Sequence, residues 1–353
     1  MPEAKTVLLT GGAGFIGSAL ARRMVDDGWQ VINLDALTYA GNPENLSDLD
    51  GNSAHHFVHG SICDGALVRA LIAKHAPDAI INVAAETHVD RSIDSPAAFI
   101  ETNINGTFML LGMARDYVEM GKAPDDFRYL QVSTDEVYGS VDTGASVEAD
   151  PCRANSPYAA SKAAADMLVR SYYKTYGLAT VVTHGSNTYG PRQFPEKLLP
   201  VVIVSALEGR DLPIYGDGTN VRDWLNVDDH AAGIVAALTR GQPGEHYNIG
   251  GNNELTNIDI VKKICGALDA ARPRNDGVPY EKQIAFVADR PGHDRRYALD
   301  TSKAASALNW SPVVEFETGL AATVAWFAER WQMSKREGRS LHDGTRIGLG
   351  NNG

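Results

Sequence analysis

Thr6-Val7-Leu8-Leu9-Thr10-Gly11-Gly12-Ala13-Gly14-Phe15-Ile16-Gly17 contains the first regular segment of the chain. Thr6 to Thr10 reads as a short apolar strand. Ser18 to Asp27 reads as a helix that stops at Gly28, and Val31-Ile32-Asn33-Leu34 as a second strand closed by Asp35. Together they form a βαβ unit. Gly11 permits the tight turn, Gly14 lets the backbone approach a pyrophosphate, and Gly17 lets helix and strand pack closely. The unpaired N–H groups of the helix N-terminus would face the diphosphate. Asp35 is placed to accept hydrogen bonds from an adenosine ribose. A carboxylate there repels a 2′-phosphate, so the pattern points to NAD rather than NADP. Such a glycine pattern is weak evidence alone, and here the flanking strand, helix and acid are all present.

Working outward, Phe57-Val58-His59-Gly60 reads as a third strand and Ala79 to Ala85 as a fourth, almost wholly apolar. A strand of that texture is covered on both faces. Ala84 and Ala85 are small enough for a coenzyme to lie close to its end. Helical patterns cover about residues 96–120. Tyr129-Leu130-Gln131-Val132 is a fifth strand and Thr180-Val181-Val182-Thr183 a sixth. Strands alternating with helices predict an α/β fold with a Rossmann-type doubly wound parallel sheet.

The fifth strand runs into Ser133-Thr134-Asp135-Glu136-Val137-Tyr138-Gly139. This places a hydroxyl and two adjacent carboxylates at the strand's C-terminal end, the edge where open parallel sheets bind ligands. Neighbouring carboxylates in a partly dry site repel, so one ionises and the other keeps its proton near neutral pH. That supplies a base and an acid side by side. Further on, Ser156 is a candidate N-cap with Pro157 at the first helical position. The helix then carries Tyr158 and Lys162 one turn apart. An ammonium beside a phenol favours phenolate, which makes Tyr158 a candidate base. Pairs at this spacing also occur on ordinary helices. Tyr172, Tyr173 and Tyr176 on the same helix read as core or subunit contacts.

After Ser186-Asn187-Thr188-Tyr189-Gly190-Pro191 the texture changes, with frequent Pro and Gly. Pro195-Glu196-Lys197-Leu198-Leu199-Pro200 precedes a helix. Val227-Asp228-Asp229-His230 opens another that returns to the sheet, Tyr247 to Gly250 is a short strand, and Asn257 caps or precedes a helix of about residues 258–270. The expected division is a coenzyme domain over 1–189, with about 226–246 returning to it. The remainder, 190–353, forms a smaller mixed α/β C-terminal substrate-binding lobe with a polar tail from about 334. Asp289 to Arg296 is dense in cations. With Arg222 it suits a diphosphate clamp, since guanidinium matches phosphate in bidentate fashion; the other reading is a solvated basic loop.

Composition narrows the classes. A net charge of −12 argues against nucleic-acid or acidic-membrane affinity. Cys63, Cys152 and Cys265 are sparse, odd in number and without metal-type spacing, which suits a reducing, cytoplasmic setting and no metal. The N-terminus enters a strand directly, so no signal peptide is expected. No apolar run approaches the roughly 20 residues of a membrane span.

These motifs resemble the extended short-chain dehydrogenase/reductases (the NAD-dependent epimerase/dehydratase family) and, more closely, the dTDP-glucose 4,6-dehydratase family. The residues that carry the likeness are TGGAGFIGS at 10–18, AAETHVDRSI at 84–93, STDEVYG at 133–139, SPYAASK at 156–162, PEKLLP at 195–200, RDW at 222–224, YNIGG at 247–251 and DRPGHDRRY at 289–297. They span nearly the whole chain in the family's order. The resemblance implies conversion of dTDP-glucose to a 4-keto-6-deoxy sugar, with tightly bound NAD reduced and reoxidised in each turnover. Tyr158, assisted by Lys162, would take the 4-OH proton and Thr134 would hydrogen-bond the 4-oxygen. Glu136 would remove the C5 proton and Asp135 protonate the departing 6-OH.

The implied coenzyme contacts are Gly11, Gly14, Phe15, Ile16, Gly17, Asp35, Thr38, Ser61, Ile62, Ala84, Ala85, Thr102, Tyr158, Lys162 and Thr188. The implied nucleotide-sugar contacts are Thr87, Thr134, Asn187, Glu196, Lys197, Leu198, Pro213, Tyr215, Arg222, Asn257, Arg290 and His293. The helices around 96–120 and 157–176 resemble the family's dimer-forming pair, so a homodimer is expected. Two positions depart from the family pattern. Ser61 stands where an Asp usually meets the adenine amino group, and Thr188 where an Asn is usual. Alternatives are a UDP-sugar 4,6-dehydratase, a nucleotide-sugar 4-epimerase or decarboxylase, and a non-catalytic sensor. Asp135-Glu136 argues against the epimerase and decarboxylase, and an intact Tyr158 and Lys162 against the sensor.

Overall fold

A computed structural model describes residues 4–289 and 293–336. In chain order come β1 (Thr6–Thr10), α1 (Phe15–Asp26), β2 (Gln30–Asp35), β3 (His55–His59), α2 (Gly65–His75) and β4 (Ala79–Asn82). Next are α3 (Val89–Asp94), α4 (Pro96–Phe99), a π-helical turn (Ile100–Gly106), α5 (Thr107–Glu119), β5 (Arg128–Thr134), α6 (Pro157–Tyr176), β6 (Thr180–Gly185) and β7 (Asn187–Tyr189). The second half adds α7 (Leu198–Leu207), β8 (Leu212–Tyr215), β9 (Val221–Asn226), α8 (Val227–Arg240), β10 (His246–Ile249) and β11 (Glu254–Thr256). It closes with α9 (Asn257–Ala271), β12 (Ile284–Val287), α10 (Ser302–Leu308) and α11 (Phe316–Arg336).

Seven strands form one parallel sheet in the order β10-β6-β5-β4-β1-β2-β3. The order reverses between β1 and β4, which opens a crevice outside their C-terminal ends. The strands are apolar on both faces because helices cover both. α1 and α8 close one side over Val7, Leu9, Val31, Ile81 and Leu130. α2, α5 and α6 close the other over Leu8, Ile32, Ile80 and Tyr129. Polar side chains inside the sheet are matched: Thr10 donates to Asn82 Oδ1 at 2.7 Å, and Asn82 donates to Gln131 Oε1 at 2.9 Å. A buried amide left unmatched would cost on the order of 1–3 kcal/mol.

Several boundaries differ from the sequence reading. α1 starts at Phe15, because Gly14 takes the N-cap position directly after the turn. β4 stops at Asn82, after which Ala84 N turns back to Thr10 Oγ1 at 3.3 Å. β7 pairs with β9 in a separate three-stranded sheet, while β10 lies beside β6, so the returning segment runs to Ile249. Thr256, not Asn257, caps α9 by accepting from Asp259 N. α7, α9 and α11 pack around a second apolar core of Leu199, Ile203, Ile260, Ile264, Leu320 and Phe327. Residues 334–336 belong to α11, and the rest of the expected polar tail, with Arg290, lies outside the described residues.

Candidate active site

The glycine turn fits between β1 and β4 only without side chains. A Cβ on Gly11, whose φ is +72°, would lie 2.6 Å from Ala84 N, and one on Gly17 would lie 2.0 Å from Gly11 O. No side chain caps α1, so its first amides face the crevice unprotected. Asp35 Oδ2 accepts from Ala13 N and Oδ1 from Leu37 N, both at 2.8 Å, which fixes the loop after β2 while lone pairs remain for a ribose.

This crevice is a cavity of about 370 Å³. Gly11, Gly14, Phe15, Ile16, Gly17, Asp35, Thr38, Ser61, Ile62, Ala84, Ala85, Thr102, Tyr158 and Thr188 all line it. Lys162 lies behind the wall, its Nζ donating to Val132 O at 2.7 Å. Thr102 reaches the cavity from the π-helical turn. In that turn the Asn103 side chain accepts from Glu86 N at 2.9 Å and donates to Glu86 O at 3.0 Å and to Ser161 Oγ at 2.9 Å. The extra residue of a π turn is a recurring device at functional sites. Ser61 Oγ accepts from Cys63 N at 3.1 Å.

A second cavity of about 440 Å³ opens into the C-terminal lobe. Pro213, Tyr215, Arg222, Asn257 and His293 line it, while Thr87 and Thr134 line the first. Glu136, Asn187, Glu196, Lys197, Leu198 and Trp224 line both, so the two spaces meet at Glu136, with Asp135 on the side of the first. Lys197 donates to Thr87 O at 2.7 Å. Arg222 is buried, donating to Val221 O at 2.7 Å and Asp294 O at 2.9 Å, with its guanidinium 4.4 Å from the Tyr297 ring centroid.

The strand end delivers the acid pair as its sequence implied. Thr134 N-caps a short turn over Asp135–Tyr138, accepting from Glu136 N at 3.3 Å and donating to Asp135 Oδ1 at 3.1 Å. Burial, reinforced by Glu136 and Asp223, pushes the Asp135 carboxyl up to about 8. Asp135 therefore carries its proton at neutral pH and can act as an acid.

Tyr158 stands in the wall of the first cavity. Burial first, then Glu136, hold its phenol well above the ordinary tyrosine range, and only contact with the Thr134 hydroxyl pulls the other way. The Lys162 ammonium, one turn along the helix, donates to Val132 O. Lys162 itself is pushed down to about 8 by burial, opposed by Asp166.

Two cavity residues, His230 and Glu86, escaped the sequence reading, as did Tyr39 beside the predicted Glu196. His230 on α8 lies 2.8 Å, through Nδ1, from Thr188 Oγ1; burial pushes it down to about 4, so it is uncharged near neutrality. Tyr39 donates to Glu196 Oε1 at 3.4 Å and carries the Arg91 guanidinium 3.8 Å from its ring centroid. Glu86 and Glu196 are both raised, chiefly by burial. Only the His230 signal, a lone imidazole on an otherwise apolar helix face, was visible in the sequence.

Known proteins match this arrangement. The model of the GDP-mannose 4,6 dehydratase family matches residues 8–323. The dTDP-glucose 4,6-dehydratase of Xanthomonas campestris pv. campestris strain B100 is 56% identical over 325 residues, covering 91% of this chain and 93% of that protein. The dTDP-glucose 4,6-dehydratase 1 of Escherichia coli K12 is 50% identical over 334 residues, covering 91% and 92%. DesIV, a dTDP-glucose 4,6-dehydratase from Streptomyces venezuelae solved with NAD bound, superposes with a TM-score of 0.85 at 44% identity, covering 93% of this chain and 98% of that one. The chain belongs to the GDP-mannose 4,6 dehydratase family of extended short-chain dehydrogenase/reductases, alongside the dTDP-glucose 4,6-dehydratases.

Proposed function

We infer that the chain converts dTDP-glucose to dTDP-4-keto-6-deoxyglucose and water, using NAD. The observation that carries this reading is the adjacent pair Asp135 and Glu136 in the wall of the first cavity, with Glu136 lining the second as well. Elimination next to a carbonyl needs both an acid and a base on adjacent carbons.

NAD bound here would supply a hydride acceptor for C4 and, once reduced, a hydride donor for C6, its oxidised form adding positive charge to the site. The uncapped start of α1 and the side-chain-free glycine turn fit its diphosphate, with Asp35 for the ribose, Ser61 for the adenine side and Thr188 for the far end. Tyr158 takes the proton from the sugar 4-OH. To act as that base it must first have shed its own phenolic proton, which burial and Glu136 resist and positive charge nearby favours; Lys162 supplies such charge from one turn behind. Thr134 hydrogen-bonds the 4-oxygen. Once C4 is a ketone, C5 becomes acidic; Glu136 removes the C5 proton and Asp135 gives its own to the departing 6-OH. Asn187, Glu196, Lys197, Leu198 and Thr87 hold the sugar side. Pro213, Tyr215, Arg222, Asn257 and His293 hold the nucleotide side, and Arg290 joins them in this reading.

The chain divides into a coenzyme domain and a nucleotide-sugar lobe. It forms a homodimer through α5 and α6. These pack side by side and leave Phe108 54% and Met167 61% exposed, together with Val118 and Tyr176. A cytoplasmic location is supported by three unpaired cysteines; no helix among the described residues is long and apolar enough to cross a membrane.

Incubation with dTDP-glucose followed by alkali tests the activity. A 4-keto sugar absorbance is expected. Formation of dTDP-galactose instead would make the protein an epimerase, and no turnover would leave a sensor.

A further inference from the structure

Asp166 sits on α6 one turn beyond Lys162. Its Oδ2 accepts from the Ser133 hydroxyl at 2.6 Å and lies 3.2 Å from His184 Nε2. Lys162 holds the carbonyl of Val132 at 2.7 Å. Successive turns of one helix face thus grip the two residues that lead directly into Thr134. Asp166 Oδ1 is buried and meets no donor among the described residues. A carboxylate so placed acts on its surroundings mainly through its field, which is strong where water is excluded.

The groups facing Asp166 come from every neighbouring element. Lys162 lies on its own helix, Ser133 comes from β5 and His184 from β6. Tyr138, in the turn after β5, lies 3.0 Å from His184 Nδ1 and donates to Asn248 Oδ1 at 3.0 Å. His246 of β10 stacks edge-on with His184 at 5.5 Å, and Cys152 of the preceding loop also feels the Asp166 charge. Among these, Lys162 is the cation that the proposed mechanism requires. It is 3% exposed, burial favours its neutral form, and Asp166 is the charge that opposes that loss.

We propose that Asp166 is a positioning residue for the reaction: one helical turn from Lys162 it places a carboxyl group beside that side chain, and its bond to Ser133 sets the Thr134–Glu136 turn against α6. The inference rests on the reading of Tyr158 and Lys162 as the base pair. It assigns a function to a residue that touches neither cavity.

The test follows the first oxidation alone, by the absorbance of reduced coenzyme, in a Glu136→Gln background at pH values from mildly acid to alkaline. Asp166→Asn should slow this step about tenfold at neutral pH, and the alkaline limb should move down by about one pH unit, because an ammonium deprived of its nearby anion loses its proton earlier. Substrate KM should stay within about twofold, since Asp166 lines no substrate surface. Asp166→Glu should restore the limb. Ser133→Ala, which removes one hydrogen bond and leaves the charge, should cost about threefold with the limb unmoved. A folded Asp166→Asn protein with an unmoved limb would overturn the proposal. So would an equal shift in Ser133→Ala, or an Asp166→Asn chain that does not fold, which would reduce the residue to a structural role. Tyr158→Phe separates the two levels. If that variant still oxidises substrate, the base itself is misassigned. If it is inert and the Asp166→Asn limb stays put, only the present inference falls.

Discussion

Thr134 Oγ1 donates to Asp135 Oδ1 at 3.1 Å, and this is the hydroxyl that also caps the turn carrying Glu136. One side chain therefore fixes the spacing of the acid and the base. Asp135 is 4% exposed, and its Oδ2 meets no donor among the described residues.

Asp135→Asn should make the protein more stable and the enzyme much slower. Burial pushes the native carboxyl up to about 8, against about 3.9 in an unfolded chain. Below about pH 4 both states are protonated and Asp135 has no net effect. Between about 4 and 8 the unfolded state ionises while the native state holds its proton, so native stability falls as pH rises. The isosteric amide removes that loss, raising stability at pH 8 by about 2–5 kcal/mol, with little change at pH 4. Turnover should fall roughly 100-fold, because the 6-OH loses its proton donor. Denaturant melts at the two pH values decide the matter, and equal stabilisation at both would remove the raised carboxyl.

Glu136→Gln should permit oxidation at C4 and block loss of the C5 proton. Reduced coenzyme then accumulates on the protein and is seen directly by absorbance. Full turnover in this variant would take the base role away from Glu136.

Tyr158→Phe should abolish the first oxidation, by on the order of 1,000-fold or more. Rapid coenzyme reduction by substrate in this variant would remove Tyr158 as the base. The wild-type phenol should titrate high in the coenzyme-free protein and lower once NAD is bound, since burial and Glu136 raise it and an added positive ring opposes them. Difference absorbance of tyrosinate reads this shift without any turnover.

Ser61→Asp should slow NAD release several-fold, on the order of the 1 kcal/mol that a charge-assisted hydrogen bond adds. An Asp can keep the local bond that Ser61 Oγ makes with Cys63 N, so the loop should tolerate the change. Coenzyme retained through gel filtration is the readout, and unchanged retention would place the adenine elsewhere.

The parts of the site visible in the sequence are those whose geometry is local. Gly11, Gly14 and Gly17 act within one turn, Thr134 to Glu136 within another, and Tyr158 with Lys162 within one helical turn. What remained hidden depends on contacts across the chain. His230 meets Thr188 because α8 returns beneath β6, and Tyr39 meets Glu196 only because the loop after β2 crosses to the lobe. The direction of the Lys162 side chain was hidden for a related reason. Spacing on a helix places Lys162 nearby, and the direction of its ammonium, toward Val132, is set by β5. The doubly wound parallel sheet was readable because alternation of strands with helices leaves few topologies. The assignment of β7 to a separate sheet was not, since three residues carry no period.

The π-helical turn at Ile100–Gly106 works as a phase shifter. Its wide winding lets Thr102 and Asn103 look toward the crevice while Leu110, Leu111 and Ala114, farther along, look into the sheet. Deleting a single residue there would give a more regular coil, yet rotate one of those two sets away from its target by about 100°. The segment is therefore intolerant of length change even where it would tolerate a change of side chain.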